Sequence, residues 1–263
     1  MMSTTEPSGG LTPAPVRRVP LTRPFEWLAR GWRDFARVPT PSLLHGVAVA
    51  AGGWVILLAA WRYWYLMPGA FSGFLLVGPI LATGLYELSR RLARGEPAPG
   101  FDAVIGAWRR GTRPLVWLGL LLVLAGTLWV MVSSVLFALF AGSPVVSLEG
   151  FLREVVLSRS WLFEVWLLLG GVGAAIVFAA TVVSAPLLLD RDVDMLSALI
   201  TSIRAAGENP AAMALWAALI MALTVLSFLT LLVGFVLVIP VVGHATWHAY
   251  RDLVDADGLP PRA

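Results

Sequence analysis

Cysteine and lysine are both absent from this chain, and charged residues make up only 13% of it. The lack of cysteine excludes disulfide bonds, thiolate metal sites and cysteine nucleophiles. Soluble domains are about half apolar and about a quarter charged, whereas this chain is 58% apolar with a mean hydropathy of +0.81. The net charge of +3 is spread over short loops and gives little support to nucleic-acid binding. The composition therefore predicts a polytopic membrane protein.

Long stretches without ionised side chains predict where the chain crosses the membrane. Residues 43–61 suffice for a hydrocarbon core of about 30 Å at about 1.5 Å per helical residue. The further predicted spans are residues 63–86, 115 to about 140, 165–189, and two within 209–250. The last stretch would reach about 63 Å as one helix, so we predict a tight turn near residues 229–234.

A short amphipathic helix precedes each predicted hairpin of two spans. These helices start near residues 25, 101 and 196, and in each an arginine follows the first apolar anchor by eight positions. The arginines are Arg33, Arg109 and Arg204. The apolar anchors are Phe25, Leu28, Trp32; Phe101, Val104, Ile105, Trp108; and Leu196, Leu199, Ile203. We therefore predict an all-α fold with six transmembrane helices as three hairpins, an internal threefold repeat within residues 20–253, and amphipathic helices on the cytoplasmic face.

The ends of the chain and the arginine distribution predict the topology. Residues 1–19 are rich in Ser, Thr, Pro and Gly and are predicted as a disordered cytoplasmic tail, and residues 254–263 as a second cytoplasmic tail. With both termini inside, only Arg62, Arg153 and Arg159 lie outside, which leaves 16 of the 19 arginines in the cytoplasm. This asymmetry predicts a multi-pass protein of the bacterial cytoplasmic (inner) membrane.

Residues 84–96 (GLYELSRRLARGE) and 243–253 (GHATWHAYRDL) resemble a family of predicted bacterial integral membrane proteins, domain of unknown function 2189. The resemblance extends over nearly the whole chain from about Arg17 onward. It implies a membrane protein without an established activity, and some family members are described as cytochrome c oxidase proteins. No catalytic residues come with the resemblance.

The three histidines of the chain are the candidates for a metal or haem site. His244 and His248 stand at i and i+4 on one helical face, and His45 is predicted at the same membrane surface. The alternative is that they hydrogen-bond among themselves, to carbonyls or to lipid headgroups. We favour this alternative because no further ligand can be placed to complete a coordination sphere, although Asp252 could orient His248. We predict neither a metal nor another cofactor.

Two carboxylates, Glu87 and Asp190, lie at the cytoplasmic ends of the second and fourth predicted spans. Intramembrane carboxylates can relay protons or ions. The interpretation that we favour is that both form interfacial ion pairs with the repeat arginines Arg33, Arg109 and Arg204.

A proline lies in the second span of each hairpin, at Pro79, Pro186 and Pro240. One interpretation is a broken helix whose free carbonyls face a substrate. The other, which the threefold recurrence favours, is a kink inherited by repetition.

The sequence favours a function other than catalysis. No nucleophile, base and orienting group can be recognised together, so no enzyme is predicted. No ionised residue lies at the centre of a span, which weighs against an ion-coupled transporter. We expect a non-enzymatic membrane protein that serves as an assembly or accessory factor for a respiratory membrane complex such as an oxidase. The alternative is a transporter or channel for a small or lipid-like molecule.

Overall fold

The computed structural model describes residues 13–62, 81–97, 99–109, 113–143, 145, 147–158 and 161–262. The helices in these ranges are α1 Arg23–Arg37, α2 Pro39–Arg62, α3 Thr83–Ala93, α4 Phe101–Arg109, α5 Arg113–Phe140, α6 Leu148–Phe151, α7 Leu162–Thr181, α8 Ser184–Asp190, α9 Met195–Glu208, α10 Pro210–Leu229 and α11 Phe235–Leu253. A π-helical turn, Leu152–Val156, follows α6. Within the same ranges, bridged extended backbone is limited to Val16 with Val254 and Arg191 with Pro261. The predicted all-α fold is confirmed.

Four stretches of the described chain are long and apolar enough to cross a membrane: Pro39–Leu58, Arg113–Phe140, Leu162–Asp190 and Pro210–Leu229. They correspond to the first, third, fourth and fifth predicted spans. Residues 63–80 of the second predicted span, which include Pro79, lie outside the described residues. The sixth corresponds to α11, whose C-terminal half carries histidines and charges. Six spans in three hairpins therefore remain a prediction.

The candidate spans expose large apolar side chains over much of their surface. On α5 the buried positions form a narrow stripe of Leu115, Leu118, Leu122, Gly126 and Ser133. The exposed ones include Trp117, Leu120, Leu124, Leu128, Met131, Val135 and Leu139. Continuous apolar surface of this kind is typical of contact with lipid or with another protein.

The centre of the described molecule consists of three mutually contacting helices, α3, α8 and α11. Every residue of α8 is buried, and so are the first eight residues of α3. Each amphipathic helix packs on one of the three central helices: α1 on α11, α4 on α3, and α9 on α8. The first amphipathic helix thus contacts the last central one, which brings the two ends of the chain together.

Two glycines let neighbouring helices approach the backbone of α11. A Cβ at Gly31 of α1 would lie 2.6 Å from the carbonyl oxygen of Val241, and one at Gly46 of α2 would overlap that of Val236. Because the obstructing atoms belong to a helical backbone, they cannot move aside as a flexible side chain would. Both positions therefore require glycine.

The amphipathic helices α1 and α9 each turn two of their predicted apolar anchors outward, whereas Leu28 and Leu199 pack against the core. Phe25 and Trp32 of α1 are 54% and 53% exposed, and Leu196 and Ile203 of α9 are 48% and 53% exposed. The opposite faces are buried: on α1 they carry Trp27, Gly31, Asp34 and Phe35, and on α9 Ser197, Ala198, Thr201, Ser202 and Ala205. In α4, by contrast, Val104 is fully buried. Exposed apolar anchors on α1 and α9 are suited to the boundary between headgroups and acyl chains.

The predicted turn between the last two spans is confirmed, since α10 ends at Leu229 and α11 begins at Phe235. Leu231 and Leu232 have φ angles of 52° and 68°, in the left-handed region that is unfavourable for branched residues. The side chain of Leu232 is buried against Ala50 and Phe235. Apolar packing thus holds the backbone of this turn in place.

The fourth predicted span is broken between α7 and α8. Pro186 has no N–H group to donate to the carbonyl of Val182, so the regular hydrogen-bond ladder is interrupted there. Ser202 of α9 donates to the carbonyl of Ala179 at 2.7 Å and accepts from the N–H of Val183 at 3.3 Å. The break is therefore stabilised from within the protein, whereas Pro240 lies inside the continuous helix α11.

The prediction of a disordered N-terminal tail is wrong for residues 13–19. The N–H of Ala14 donates to Thr201 Oγ1 at 3.0 Å, and the N–H of Val19 donates to Asn209 Oδ1 at 2.8 Å. The N–H of Arg17 donates to the carbonyl of Leu253 at 2.8 Å. Because side chains of α9 and the end of α11 bind its backbone groups, this segment is ordered without regular structure of its own.

Candidate functional site

Buried polar side chains converge where α1, α2, α3 and α11 meet. His244 lies on α11 and is fully buried. Ser42 of α2 and Ser89 of α3 are also fully buried, and Asp34 of α1 is 6% exposed. Four separate helices therefore contribute to one buried polar cluster.

Both ring nitrogens of His244 contact a serine hydroxyl. The Oγ of Ser42 lies 3.0 Å from Nε2, and the Oγ of Ser89 lies 2.7 Å from Nδ1. Ser42 also donates to the carbonyl oxygen of Val38 at 2.7 Å. The imidazole is thus fixed in orientation between α2 and α3.

Asp34 is the acceptor at the other end of the cluster. Ser89 donates to its Oδ2 at 2.8 Å, and Nε2 of His248 lies 2.8 Å from the same oxygen. Burial on its own would raise the pKa of Asp34. The hydrogen bonds with His248 and Ser89 outweigh that effect and hold the pKa of this carboxyl below its usual value.

We name this continuous chain the histidine network: His248, Asp34, Ser89, His244 and Ser42. It runs from a side chain that is 17% exposed, His248, to residues that are fully buried. Every contact along it is between 2.7 and 3.0 Å, which is hydrogen-bond distance.

The predicted histidines take different places in this arrangement. His244 and His248 both belong to the network, as their shared helical face suggested, but they are joined through Asp34 and Ser89 rather than directly. His45 is buried on α2, three residues after Ser42. Among the residues that the structure describes, no group of three or more His, Asp or Glu side chains could hold a metal ion.

Asp34, Ser42 and Ser89 are the members that the sequence interpretation missed. Asp34 adjoins Arg33, which had been chosen for its place in the repeat. The signal that could have identified it is the spacing of Trp27, Gly31 and Asp34 at intervals of four and three, which marks one face of α1. A carboxylate on a face with tryptophan and glycine is a candidate for burial.

The predicted orienting role of Asp252 is wrong. Its carboxylate accepts from Nε1 of Trp27 at 2.9 Å and from the guanidinium of Arg30. His248 is oriented by Asp34 instead. The reason is that α1 packs along α11 and places Asp34 beside His248.

Both predicted carboxylates form ion pairs, but with arginines other than Arg33 and Arg204. Glu87 accepts from Arg90 at 2.7 Å and from Arg91 at 2.9 Å, all within α3. Arg204 pairs instead with Glu208 one turn later in α9, and Arg33 is exposed on α1. The side chain of Arg109 lies outside the described residues.

Asp190 is the centre of a second polar group at the end of α8. Its carboxylate accepts from the hydroxyl of Tyr250 at 2.8 Å and from Arg191 at 3.2 Å. Arg251 and Arg94 lie 3.7 and 3.9 Å away. Asp190 therefore connects the three central helices. It lies on α8, contacts Tyr250 and Arg251 of α11, and lies near Arg94 at the end of α3.

The order of residues in the histidine network differs from that of a hydrolase triad. In such a triad the histidine lies between the carboxylate and the serine, so that it can remove the hydroxyl proton. Here Ser89 lies between Asp34 and His244 and is fully buried. The network therefore joins four helices by hydrogen bonds and lacks the order of a hydrolase triad.

These features define a helical integral membrane protein with a buried histidine, serine and aspartate network. The family model described as predicted integral membrane protein (DUF2189) matches residues 66–190. This match confirms the family resemblance over that part of the chain, whereas residues 243–253 lie beyond it. No curated protein and no solved structure gives a significant match.

Proposed function

We propose that this protein is a non-enzymatic membrane protein that acts as an assembly or accessory factor for another membrane complex, with a respiratory oxidase as the first to test. In this proposal the chain crosses the bacterial inner membrane six times as three hairpins from an internal threefold repeat. Both termini lie in the cytoplasm, as the arginine distribution predicts.

The observation that carries this proposal is the exposed face of α5. The helix has 28 residues, so it extends about 42 Å at about 1.5 Å per residue. Its inner side is fixed to α7, since Trp129 and Trp166 stack with centroids 5.7 Å apart and Trp166 donates to Ser133 at 3.0 Å. The outer side therefore presents a rigid apolar surface to which helices of another complex can bind.

Site-specific photo-crosslinking in native membranes tests the proposal. A photoreactive residue replaces Leu124 or Leu128, which are 58% and 61% exposed, and Leu122, which is 2% exposed, provides the matched control on the same helix. We expect adducts with a subunit of a respiratory complex from the exposed positions only. Deletion of the gene should also reduce the amount of that assembled complex. Adducts with lipid alone, together with normal assembly, would contradict the proposal.

A second candidate function, a transporter or channel for a small molecule, is favoured by the histidine network. The network leads from the half-buried His248 to Ser42, close to the start of the apolar span Pro39–Leu58. Flux measurements on reconstituted vesicles test this function. Transport that requires Asp34 would support it, whereas vesicles that remain as impermeable as protein-free ones would exclude it.

A further inference from the structure

The hydrogen atoms available in the histidine network can be counted from its contacts. Each serine hydroxyl has one hydrogen, an ionised carboxylate has none, and a neutral imidazole has one. Ser42 uses its hydrogen on the carbonyl of Val38, because a carbonyl can only accept. The contact between Ser42 and His244 therefore requires a hydrogen on Nε2.

This requirement leaves one contact without a hydrogen. If His244 is neutral and carries its hydrogen on Nε2, its Nδ1 can only accept, and Ser89 must donate to it. Ser89 then has no hydrogen for Asp34, although the two oxygens lie 2.8 Å apart. The distances of 2.7 and 2.8 Å leave no space for a water molecule between the partners.

One added proton satisfies every contact. If it lies on Nδ1, His244 donates to Ser89, and Ser89 donates to Asp34. If it lies on Oδ2, Asp34 donates to Ser89, and Ser89 donates to Nδ1. In both forms His248 donates its own Nε2 hydrogen to Asp34, and the buried group of Asp34 and His244 has no net charge.

We propose that Asp34, Ser89 and His244 form a proton-binding site. The site holds one proton more than it would with Asp34 ionised and His244 neutral. The proposal is independent of the accessory and transport functions, because it concerns only where a proton binds.

The network also provides a route by which this proton reaches the buried site. A protonated His248, at the half-buried end, transfers its Nε2 proton to Oδ2 of Asp34. Asp34 passes that proton to the oxygen of Ser89, while the original hydroxyl hydrogen of Ser89 moves to Nδ1 of His244. One N–H bond breaks at Nε2 of His248 and one forms at Nδ1 of His244. His248 is then neutral with its hydrogen on Nδ1, and it must take up a proton from solvent at Nε2 and release the one on Nδ1 before it donates to Asp34 again.

Within the described part of the chain, the charged or titratable groups at hydrogen-bond distance from Ser89 are Asp34 and His244. His244 is influenced by Asp34 of α1, His45 of α2 and His248 of its own helix. On α3, Glu87 is paired with Arg90 and Arg91. On α8, Asp190 is paired with Arg191 and Tyr250. The excess proton is therefore shared between Asp34 and His244.

Nitrogen-15 NMR of the histidine rings tests the proposal in full-length protein in lipid nanodiscs. The chain has only three histidines, so the ring signals can be assigned with single substitutions. Near neutral pH we expect either hydrogens on both nitrogens of His244, or a neutral Nε2–H ring together with a protonated Asp34 carboxyl in carbon-13 spectra. A neutral His244 beside an ionised Asp34 at every pH from about 5 to about 8, the range in which histidine charge ordinarily changes, would overturn the proposal.

Ser89→Ala tests the route. We expect the His244 ring signals of the natural protein to change between about pH 5 and about pH 8, and to lose that change in Ser89→Ala. Ser227→Ala is the control, since Ser227 is equally buried but donates to Leu223 of its own helix. An unchanged response in Ser89→Ala would refute the relay. If that variant does not fold, the titration of the natural protein still decides whether the excess proton is bound.

Discussion

His248 of α11 lies 2.8 Å from the carboxylate of Asp34 on α1, although 214 positions separate the two residues in the chain. Ser89 of α3 donates to the same carboxylate. The buried Oδ2 of Asp34 thus joins α1, α3 and α11. Removing the Asp34 carboxylate would leave the Ser89 hydroxyl and the His248 ring without this acceptor.

Asp34→Ala should destabilise the protein strongly. Breaking a buried, hydrogen-bonded pair by removing one partner costs on the order of 3 kcal/mol, because the other partner remains buried. We expect a reduced free energy of unfolding in detergent, measured by denaturant titration. Glu26→Ala on the same helix is the control, since Glu26 is exposed. Equal stability of both variants would show that the carboxylate does not hold α1 to α11.

The stability of the protein should decrease on acidification through the protonation of Asp34. The folded-state pKa of this group is lower than its unfolded value, so its contribution is fully present above the unfolded pKa. The contribution is lost as the pH falls through the folded pKa. Melting temperatures across this acidic range should therefore decrease more steeply in the natural protein than in Asp34→Asn. If melting temperature fell equally with pH in the two proteins, the acid-sensitive stability would not come from Asp34.

Gly46→Ala and Gly52→Ala should differ although both residues lie on α2. The added methyl group at Gly46 would overlap the backbone of Val236, whereas at Gly52 it would meet nothing within 4 Å. Overpacking typically costs about 1–3 kcal/mol, so we expect Gly46→Ala to reduce stability by this amount. Gly52→Ala should be neutral. Thermal unfolding in the same detergent compares the two, and similar melting temperatures would show that α2 can move away from α11.

Cysteine labelling can test the membrane topology because the chain contains no cysteine. Ser147→Cys in the exposed segment before α6 should react from the periplasmic side of intact cells. Gly207→Cys on α9 should react only after permeabilisation, and Gly207 is exposed. Ala205 is fully buried and is unsuitable as a reporter. Reaction at Gly207→Cys in intact cells would contradict the predicted orientation.

The sequence predicted the helices well because each depends on local signals. Apolar stretches identified the four candidate spans, and the apolar turn before Phe235 was predicted within a residue or two. The polar network was not predicted because its members come from four helices. Close packing at Gly31 and Gly46 brings α1 and α2 to α11, and Leu85 of α3 packs against Gly243 of α11.

The pairings of Glu87 and Asp190 with Arg33 and Arg204 were predicted incorrectly for a related reason, whereas the pairing with Arg109 stays a prediction. Repeat spacing suggested Arg33 and Arg204 as partners, but spacing gives the position of an arginine along a helix and not the face that is buried. Glu87 pairs instead with Arg90 and Arg91, three and four residues later on its own helix. Pairs at these intervals are neighbours on a helix surface, so this local partnership was available in the sequence.

Asn209→Ala should release the N-terminal segment from the helical core. The Asn209 side chain is buried, accepts from the N–H of Val19 at 2.8 Å and donates to the carbonyl of Arg17 at 3.1 Å. Each backbone group left unsatisfied costs about 1–3 kcal/mol. The equilibrium constant for detachment of the N-terminal segment should therefore increase by about tenfold or more. Trypsin should therefore cleave after Arg18 correspondingly faster in detergent. Cleavage after Arg153, in an exposed and distant segment, is the internal control, and an unchanged ratio of the two rates would contradict this role for Asn209.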